Sequence, residues 1–317
     1  MANRDFKSAF EAMYHGKYDF EDFKVGDIAN KYRKLNLNKK NVYEADQVLK
    51  TYHKFLNLFV FQWLSFNEDC VFSYRKGINV ADAVKKHSQS KHFYQTDLNN
   101  FFGSIRSDIV RSCIGASIDK VPISDISLYV DRIVEMCTVA DRLAVGFSTS
   151  PLISNACLFR FDNEIEQHCH ANGLIYTRYS DDIIISGVEN KLYGMGDVVE
   201  SILFQHFNGV LSINLPKTKY SSAGNKVKML GMMILPNGTV TIDSKLKADI
   251  EVMLYFFIKD KQKFLDKIDT DSATALTKLS GYLNYINTTD KIYLDKLRKK
   301  YGSSVIDMFV RGSVKSL

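Results

Sequence analysis

Two adjacent aspartates, Asp181 and Asp182, stand in a stretch of sequence that is otherwise typical of buried β-strands. Residues 174–179 before the pair are strand-prone, and three β-branched residues, Ile183 to Ile185, follow it. The pattern predicts a hairpin with core strands and with both carboxylates near its tip. Two like charges there repel each other, and burial raises their pKa values, unless a cation neutralises them. Two interpretations follow: an exposed Asp-Asp turn, or a site for divalent metal ions.

A third carboxylate supports the metal interpretation. Asp97 closes the apolar segment FYQTD (residues 93–97), so we expect it at the carboxyl end of a strand. A lone aspartate at such a place commonly caps a turn. A strand that ends in aspartate together with an Asp-Asp hairpin is, however, the combination that a two-metal site for phosphoryl transfer requires. A central antiparallel sheet would bring the two elements together.

The composition is that of a soluble globular protein, with 45% hydrophobic and 25% charged residues. A chain of 317 residues is long enough for two or three subdomains. Its start is charged and amphipathic, unlike a signal peptide, and no apolar run approaches membrane-spanning length. Five cysteines occur singly, without a CxxC pair, which is typical of reduced thiols. We therefore expect a cytoplasmic protein with no membrane partner.

Hydrophobic periodicity divides the chain into helical and strand-rich segments. It predicts a basic hairpin over residues 32–46 with its turn at residues 38–41, and a strand that begins at residue 92. Further strands are expected over residues 211–242. The expected helices cover residues 1–30, 46–66, most of 107–139, 154–170, 195–208, and the segment from 245 to the end.

The last segment carries most of the net charge of +6. From residue 245 onward there are 14 Lys and Arg against 9 Asp and Glu, an excess of five. The tract KLRKK (residues 296–300) concentrates this excess. One interpretation is a solvated helix face, and the other is a positive surface that follows a phosphate backbone.

The tripeptide His168-Cys169-His170 raises the question of a zinc site. No second Cys or His pair lies at ligand spacing, so we interpret the tripeptide as the end of a helix, where a cation is favoured.

Five motifs in order give the chain a family resemblance. They are TDLNNFF (96–102), GFSTSPLISN (146–155), YSDD (179–182), NLPKT (214–218) and KMLGMMI (228–234). Together they resemble the successive palm motifs of reverse transcriptases, specifically the bacterial retron-type group, which includes retron enzymes and phage-defence reverse transcriptases. GYLNYI (281–286) and KLRKKYG (296–302) are similar to a retron-type thumb.

The resemblance implies an α+β fold of the right-hand polymerase type, with fingers, a palm built on an antiparallel sheet, and a short helical thumb. Residues 1–92 would form N-terminal helices and fingers, and residues 93–242 the palm, with a helical insertion over 106–144. Residues 245–317 would form the thumb.

The resemblance also implies roles for single residues at the reaction centre. Asp97 and Asp181 would be the principal ligands of two Mg²⁺ ions, or of Mn²⁺, and Asp182 the adjacent carboxylate supporting metal and primer end. Phe102 would contact the sugar of the incoming nucleotide and exclude a 2′-hydroxyl, whereas a core phenylalanine is the alternative. Lys217 would lie near the pyrophosphate as a general acid, and a surface lysine is the alternative.

Other positions would hold the substrate and the nucleic acid. Gly146, Ser150 and Pro151 match the loop and helix start beneath the nascent base pair. Arginine suits triphosphate binding through bidentate contacts, and the fingers residues would be Arg33, Lys39 and Lys40. The thumb residues expected on the nucleic acid are Lys296, Arg298, Lys299 and Lys300.

Departures from the family pattern bear on the subgroup. Val145 replaces the usual glutamine before the motif glycine, Ser148 replaces the usual proline, and Met229-Leu230-Gly231 replaces Val-Thr-Gly. These changes favour a defence-associated relative over a true retron enzyme.

The expected function is an RNA-templated DNA polymerase that copies a dedicated structured non-coding RNA with dNTPs into cDNA, with an effector protein or a second copy as a further partner. A catalytically idle RNA-binding scaffold and a nucleotide cyclase are the alternatives.

Overall fold

The computed structural model describes residues 4–37, 40–224, 226–268 and 272–312, which divide into two units. Unit 1 comprises Met1–Tyr74, Gln95–Ile185 and Tyr193–Lys219, and unit 2 comprises Arg75–Tyr94, Ser186–Leu192 and Tyr220–Leu317. The division into fingers, palm and thumb at the residues given above remains a prediction.

The first half of the chain is mainly helical and holds one long hairpin. Its elements are α1 (Phe6–Tyr14), α2 (Phe20–Val25), β1 (Tyr32–Leu37), β2 (Lys40–Ala45), α3 (Gln47–Phe59), α4 (Val80–Lys86), β3 (His92–Asp97), α5 (Phe101–Ser104), α6 (Ser107–Ala116), α7 (Val130–Cys137), β4 (Thr138–Val139) and β5 (Arg142–Leu143).

The second half contains the remaining strands and a run of C-terminal helices. Its elements are α8 (Ser150–Cys157), α9 (Phe159–Ala171), β6 (Ile175–Tyr179), β7 (Asp182–Gly187), α10 (Met195–Phe207), β8 (Lys219–Ser222), β9 (Val227–Met229), β10 (Met232–Ile234), β11 (Val240–Ile242), α11 (Ser244–Lys259), α12 (Lys261–Ile268), α13 (Ser272–Thr289), α14 (Lys291–Tyr301) and α15 (Ser303–Val310).

Four sheets organise the strands of the described residues. The largest has the order β6-β7-β3-β8, so the strand that ends in Asp97 is the hydrogen-bonded neighbour of the strand that follows the Asp-Asp turn. β9, β10 and β11 form an antiparallel sheet, and β4 pairs with β5. β1 and β2 pair antiparallel from Tyr32 opposite Ala45 to Leu37 opposite Lys40. The hairpin predicted over residues 32–46 is thereby confirmed. Its turn was predicted at residues 38–41, but Lys40 and Asn41 pair within β2, and residues 38 and 39 lie outside the described residues.

The N-terminal part of unit 1 is stabilised by an aromatic core. Phe6, Phe10, Phe23 and Phe55 are all fully buried, and their ring centroids lie 5.1 to 5.9 Å apart. Each ring buries a large apolar surface, which is the main stabilising contribution of such residues.

Two predicted helices are broken. The helix expected over residues 1–30 is α1 and α2, because His15 (φ 51°) and Gly16 (φ 74°) adopt left-handed backbone that ends α1. The helix expected over 154–170 starts earlier, at Ser150, because Pro151 is compatible with the first helical turn. It is also interrupted at Leu158, which separates α8 from α9.

Two predictions about the helices of the second half are confirmed. His168 and His170 lie in the last turn of α9, so the predicted helix end is confirmed. The described residues from Ser244 onward form five helices, as the periodicity of this segment indicated. Within the described part of the chain, none of the helices combines the length and apolar character that crossing a membrane requires.

Candidate active site

The turn between β6 and β7 carries Asp181 and Asp182. Ile183, Ile184 and Ile185 are at most 2% exposed, so the strand behind the turn is core. Ser180 has a φ of 60°, whereas Asp181 does not have a positive φ. A positive φ at only the first central residue is the pattern of a type II′ turn, which normally favours glycine. The hairpin predicted from the sequence is present, and its tip is held in an unfavourable backbone conformation.

Asp97 lies beside this turn. The backbone N–H of Leu98 donates to the carbonyl of Asp181 at 3.0 Å, and the N–H of Asn214 donates to the carbonyl of Asp97 at 2.7 Å. The end of β3 is therefore tied by main-chain hydrogen bonds to the Asp-Asp turn and to the segment that leads to Lys217. The structure brings together four of the residues that the sequence proposed for the reaction centre, namely Asp97, Asp181, Asp182 and Lys217.

Burial and neighbouring negative charges raise the pKa of Asp182. Asp182 is exposed by surface area at the start of β7, yet the protein around its carboxylate displaces much of the nearby water. This partial desolvation, with repulsion from Asp181 and Asp97, raises the pKa of Asp182 to about 6, and Lys217 opposes the shift. A cation close to the turn would stabilise the ionised carboxylate.

Lys217 supplies one positive charge. It ends a short 3-10 turn (Leu215–Lys217), and its Nζ donates to Oδ2 of Asp97 at 2.5 Å. The hydrogen bond to Asp97 and the attraction of its charge raise the pKa of Lys217, so the amine is protonated at neutral pH. The side chains of Thr96 and Thr218, which hydrogen-bond at 2.8 Å, connect β3 to the residue after this lysine.

Oδ1, the second carboxylate oxygen of Asp97, is a candidate metal ligand. Oδ1 is buried, and no hydrogen-bond donor to it exists among the residues that the structure describes. Buried acceptors are nearly always satisfied, so an oxygen of this kind suits an additional cation. The described residues contain no preformed group of three or more His, Cys, Asp or Glu side chains around one point. The donor set nevertheless fits Mg²⁺ or Mn²⁺, because all three side chains offer hard oxygen ligands.

The two phenylalanines after β3 differ in environment. Phe101 is 3% exposed and belongs to the core, whereas Phe102 is half-buried, with the two ring centroids 5.2 Å apart. Phe102 is therefore available to a ligand, and its role as the residue that contacts the sugar remains a prediction.

The loop before α8 packs against the β1-β2 hairpin. Gly146 has a φ of 101°, and a Cβ atom there would lie 2.5 Å from the carbonyl oxygen of Tyr43. The N–H of Tyr43 also donates to the carbonyl of Val145 at 2.7 Å. Glycine is thus required by the close approach of β2, and a contact with a base pair is not needed to explain it.

Ser150 and Pro151 begin α8. Ser150 is 2% exposed, and its hydroxyl donates to the carbonyl of Ala144 at 2.6 Å, so its side chain stabilises the loop. Pro151 is half-buried in the first helical turn. A role for either residue beneath a nascent base pair remains a prediction.

The proposed fingers residues are only partly described. Arg33 on β1 pairs with Glu44 on β2, with Nε at 2.7 Å from Oε2, and this hydrogen bond lowers the pKa of Glu44. A triphosphate would have to compete with Glu44 for the guanidinium. Lys39 lies outside the described residues, and of Lys40 only the backbone, in β2, is described.

Four of the five basic residues of α14, those expected on the nucleic acid, separate into two kinds. Arg298 is held by Asp295 at 2.7 Å and by Asp307 at 2.9 Å, and Lys300 pairs with Glu251. Lys296 and Lys299 are exposed, and neither has an ion-pair partner among the described residues. Of the four, these two lysines remain available to a phosphate backbone.

Sequence reasoning missed a buried polar group behind the turn. Arg178, in β6, and Asp162, in α9, form an ion pair in which both side chains are fully buried. Tyr74 was missed as well, and its hydroxyl lies 2.7 Å from Oγ of Ser180. The available signal was an arginine between strand-prone residues, which is unusual for a core strand unless the charge is paired.

The comparison with protein families decides the relationship of the chain. Residues 24–234 match the model of the family described as reverse transcriptase (RNA-dependent DNA polymerase), which is more than half of the chain. The chain belongs to the reverse transcriptase family. This membership confirms the predicted right-hand polymerase fold and RNA-directed DNA polymerase activity, so the chain is a nucleotidyltransferase.

Curated relatives of this reverse transcriptase agree with the retron-type resemblance. The chain is 28% identical to the Retron Ec83 reverse transcriptase of Escherichia coli over 247 residues, which cover 75% of each chain. It is 26% identical to the Retron Ec73 reverse transcriptase of the same organism over 275 residues, which cover 83% of each. The resemblance to bacterial retron-type reverse transcriptases is confirmed.

Solved structures of telomerase also align with this reverse transcriptase. The telomerase from Candida albicans in complex with a TWJ fragment of telomeric RNA is 10% identical, with a TM-score of 0.43, over 77% of this chain and 52% of that one. Apo telomerase from Candida tropicalis is 12% identical, with a TM-score of 0.46, over 84% and 48%. The alignments span about half of the length of these telomerase chains.

Proposed function

We propose that this reverse transcriptase copies a dedicated structured non-coding RNA into DNA, with two divalent metal ions at Asp97, Asp181 and Asp182, as part of an anti-phage defence system. The observation that carries the metal assignment is the buried, unpartnered Oδ1 of Asp97 beside the Asp-Asp turn. Mg²⁺ is the expected ion and Mn²⁺ an alternative. When bound, such ions activate the primer 3′-hydroxyl and stabilise the charge on the leaving pyrophosphate.

The protein's own residues would contribute binding, orientation and a proton. Asp97, Asp181 and Asp182 supply the oxygen ligands, and Phe102 limits the space beside the sugar of the incoming nucleotide. Lys217 would transfer its contact from Asp97 to the pyrophosphate and donate a proton there; its hydrogen bond to Asp97 supports this role.

The location and partners are part of the proposal. All five cysteines are free thiols, which suits the reducing cytoplasm. The RNA would serve as both template and scaffold, and an effector protein or a second copy of the chain would complete the system. A true retron enzyme that makes RNA-linked DNA is the alternative within the same chemistry.

Sequencing of nucleic acid that copurifies with the protein tests this function. We expect one RNA species to be enriched, together with DNA complementary to part of it. An RNA without complementary DNA, from a protein that also fails to extend a primer on an RNA template with Mg²⁺ and dNTPs, would instead support the idle RNA-binding scaffold.

Replacing Phe102 by alanine should admit ribonucleotides. The smaller side chain no longer excludes the 2′-hydroxyl, and the carboxylates that act on the reacting groups are unchanged. We therefore expect discrimination against rNTPs to fall by on the order of 10- to 100-fold, while deoxynucleotide use drops only modestly. Single-nucleotide incorporation with dNTP and rNTP measures both values.

The matched control for this change is Phe101→Leu. Because Phe101 is a core residue, its truncation should lower the free energy of unfolding and leave the discrimination unchanged. Unchanged rNTP exclusion in Phe102→Ala would assign Phe102 to packing alone.

Replacing Lys296 and Lys299 by glutamine should weaken RNA or RNA–DNA duplex binding for all sequences alike. Each lost phosphate contact reduces the slope of log K against log salt by about 0.7 to 0.9, so the double variant should lose roughly 1.4 to 1.8 units of slope. Anisotropy during a salt titration measures it.

Lys300→Gln is the internal control, because that lysine already pairs with Glu251 and should change the slope less. If the double variant keeps the wild-type slope, the exposed face of α14 is merely solvated.

A further inference from the structure

The guanidinium of Arg178 links the core to the catalytic turn. Its Nε donates to Oδ1 of Asp162 at 2.8 Å and its Nη2 donates to Oδ2 at 2.7 Å. Its Nη1 donates to the backbone carbonyl of Ser180 at 3.0 Å. Arg178 is itself completely buried, so these contacts are made without competing water.

Two helices hold the guanidinium in this orientation. Asp162 belongs to α9 and also accepts a hydrogen bond from the hydroxyl of Tyr176 at 2.8 Å. Asn155 belongs to α8, and its Oδ1 accepts from Nη1 of Arg178 at 3.3 Å. The planar, bidentate geometry of an Arg–carboxylate pair leaves the guanidinium one orientation.

Stability alone is a weak explanation for this arrangement. Removing two charges from water costs several kcal/mol per ion, and apolar residues of similar volume commonly stabilise a fold as well or better. What an apolar pair cannot provide is a donor to the carbonyl of Ser180. That carbonyl lies in the turn whose first central residue has a positive φ, immediately before Asp181.

The turn is thus held from three directions. Arg178 donates to the carbonyl of Ser180 from the core, and the hydroxyls of Tyr74 and Ser180 hydrogen-bond to each other. The backbone N–H of Leu98 donates to the carbonyl of Asp181. Only the Arg178 contact comes from a group whose own position is fixed by a buried ion pair.

We propose that Arg178, oriented by Asp162, is a positioning residue of the polymerase reaction: its hydrogen bond to the carbonyl of Ser180 fixes the turn so that the carboxylates of Asp181 and Asp182 are preorganised for the cation and the primer end. The inference rests on the proposed function of these aspartates. Groups that orient ligands from behind commonly affect metal affinity or activity by about 10- to 100-fold.

The test replaces the pair without leaving a buried charge. In Arg178→Met combined with Asp162→Asn both charges are removed. Asp162→Asn is avoided as a lone change, because it would leave the guanidinium unpaired. Folding is followed by circular dichroism and thermal unfolding. Mn²⁺ binding to the protein without substrate is followed by electron paramagnetic resonance, and kcat and KM for dNTP by single-nucleotide incorporation.

We expect the double variant to fold, to bind Mn²⁺ about 10- to 100-fold more weakly, and to lose kcat by a similar factor, with KM for dNTP nearly unchanged. Tyr176→Phe is the matched control, because it removes a hydrogen bond to Asp162 but leaves the contact of Arg178 with Ser180. This control should keep wild-type Mn²⁺ affinity and kcat.

The outcomes separate the two levels of the proposal. A folded double variant with wild-type Mn²⁺ affinity and kcat overturns the positioning role. If the double variant does not fold, Arg178→Lys is tested instead. Lysine retains a charge for Asp162 but lacks the planar guanidinium that also reaches Ser180. Wild-type Mn²⁺ affinity and kcat in Arg178→Lys overturn the positioning role, and a loss of both supports it. A wild-type protein that neither binds Mn²⁺ nor extends a primer contradicts the proposed function itself.

Discussion

Asp181→Asn combined with Asp182→Asn is expected to abolish DNA synthesis. The loss should be at least about 10³-fold, because a metal ion supplies several kcal/mol of charge stabilisation and each 1.36 kcal/mol is tenfold in rate. The fold and RNA binding should be retained, since the contacts of this turn described above use the backbone and side chain of Ser180 and the carbonyl of Asp181. Primer extension on an RNA template and a filter-binding assay measure the two properties.

The single change Asp182→Asn should not destabilise the metal-free protein at neutral pH. The pKa of Asp182 is about 6 in the fold, above its ordinary value near 3.9, so the stability linked to its protonated form is fully present below about pH 4 and is lost as pH rises through 6. Asparagine does not titrate. The melting temperature of Asp182→Asn relative to wild type, measured in EDTA, should therefore be higher at pH 7.5 than at pH 4.5.

A control with the same charge change is Asp197→Asn with Glu200→Gln, two exposed positions on α10. It should leave synthesis near the wild-type rate. Wild-type extension by the variant of the turn would refute the metal assignment, and a relative melting temperature that is independent of pH would refute the electrostatic account of Asp182.

Lys217→Arg is expected to lower kcat by about 10²- to 10⁴-fold, the range of a positioned general acid. Arginine keeps a positive charge for Asp97 but does not give up a proton readily, because the pKa of a guanidinium lies far above neutral pH. Metal-free stability should change little. Single-turnover incorporation at saturating dNTP isolates the chemical step from substrate binding.

Lys217→Met separates the two contributions of this lysine. The ammonium group competes for Oδ2 of Asp97, so its removal should raise the Mn²⁺ affinity of the protein without substrate even as kcat falls. Lys219→Met, at an exposed lysine two residues further on, should alter neither. An unchanged kcat in both variants of Lys217 would make it a surface lysine that neutralises Asp97.

The elements that carry the chemistry were accessible to sequence reasoning because their signals are local. Strand-prone and β-branched residues predicted a strand that ends in Asp97 and a hairpin with Asp181 near its tip, and the order of five motifs identified the family. The hairpin over residues 32–46 followed from the same kind of pattern. Helix interruptions were less accessible, because a left-handed residue such as His15 has no reliable signature in a single sequence.

The tertiary structure alone decided which of these residues have partners. Lys217 and Asp97 are 120 positions apart, and their contact depends on how the segment after β7 returns to the end of β3. Packing likewise set Gly146 against Tyr43, paired Arg298 with Asp307, and placed the guanidinium of Arg178 beneath Ser180. Periodicity reports which face of an element is buried, whereas the partner of a buried charge is fixed by the distance and direction between elements far apart in sequence.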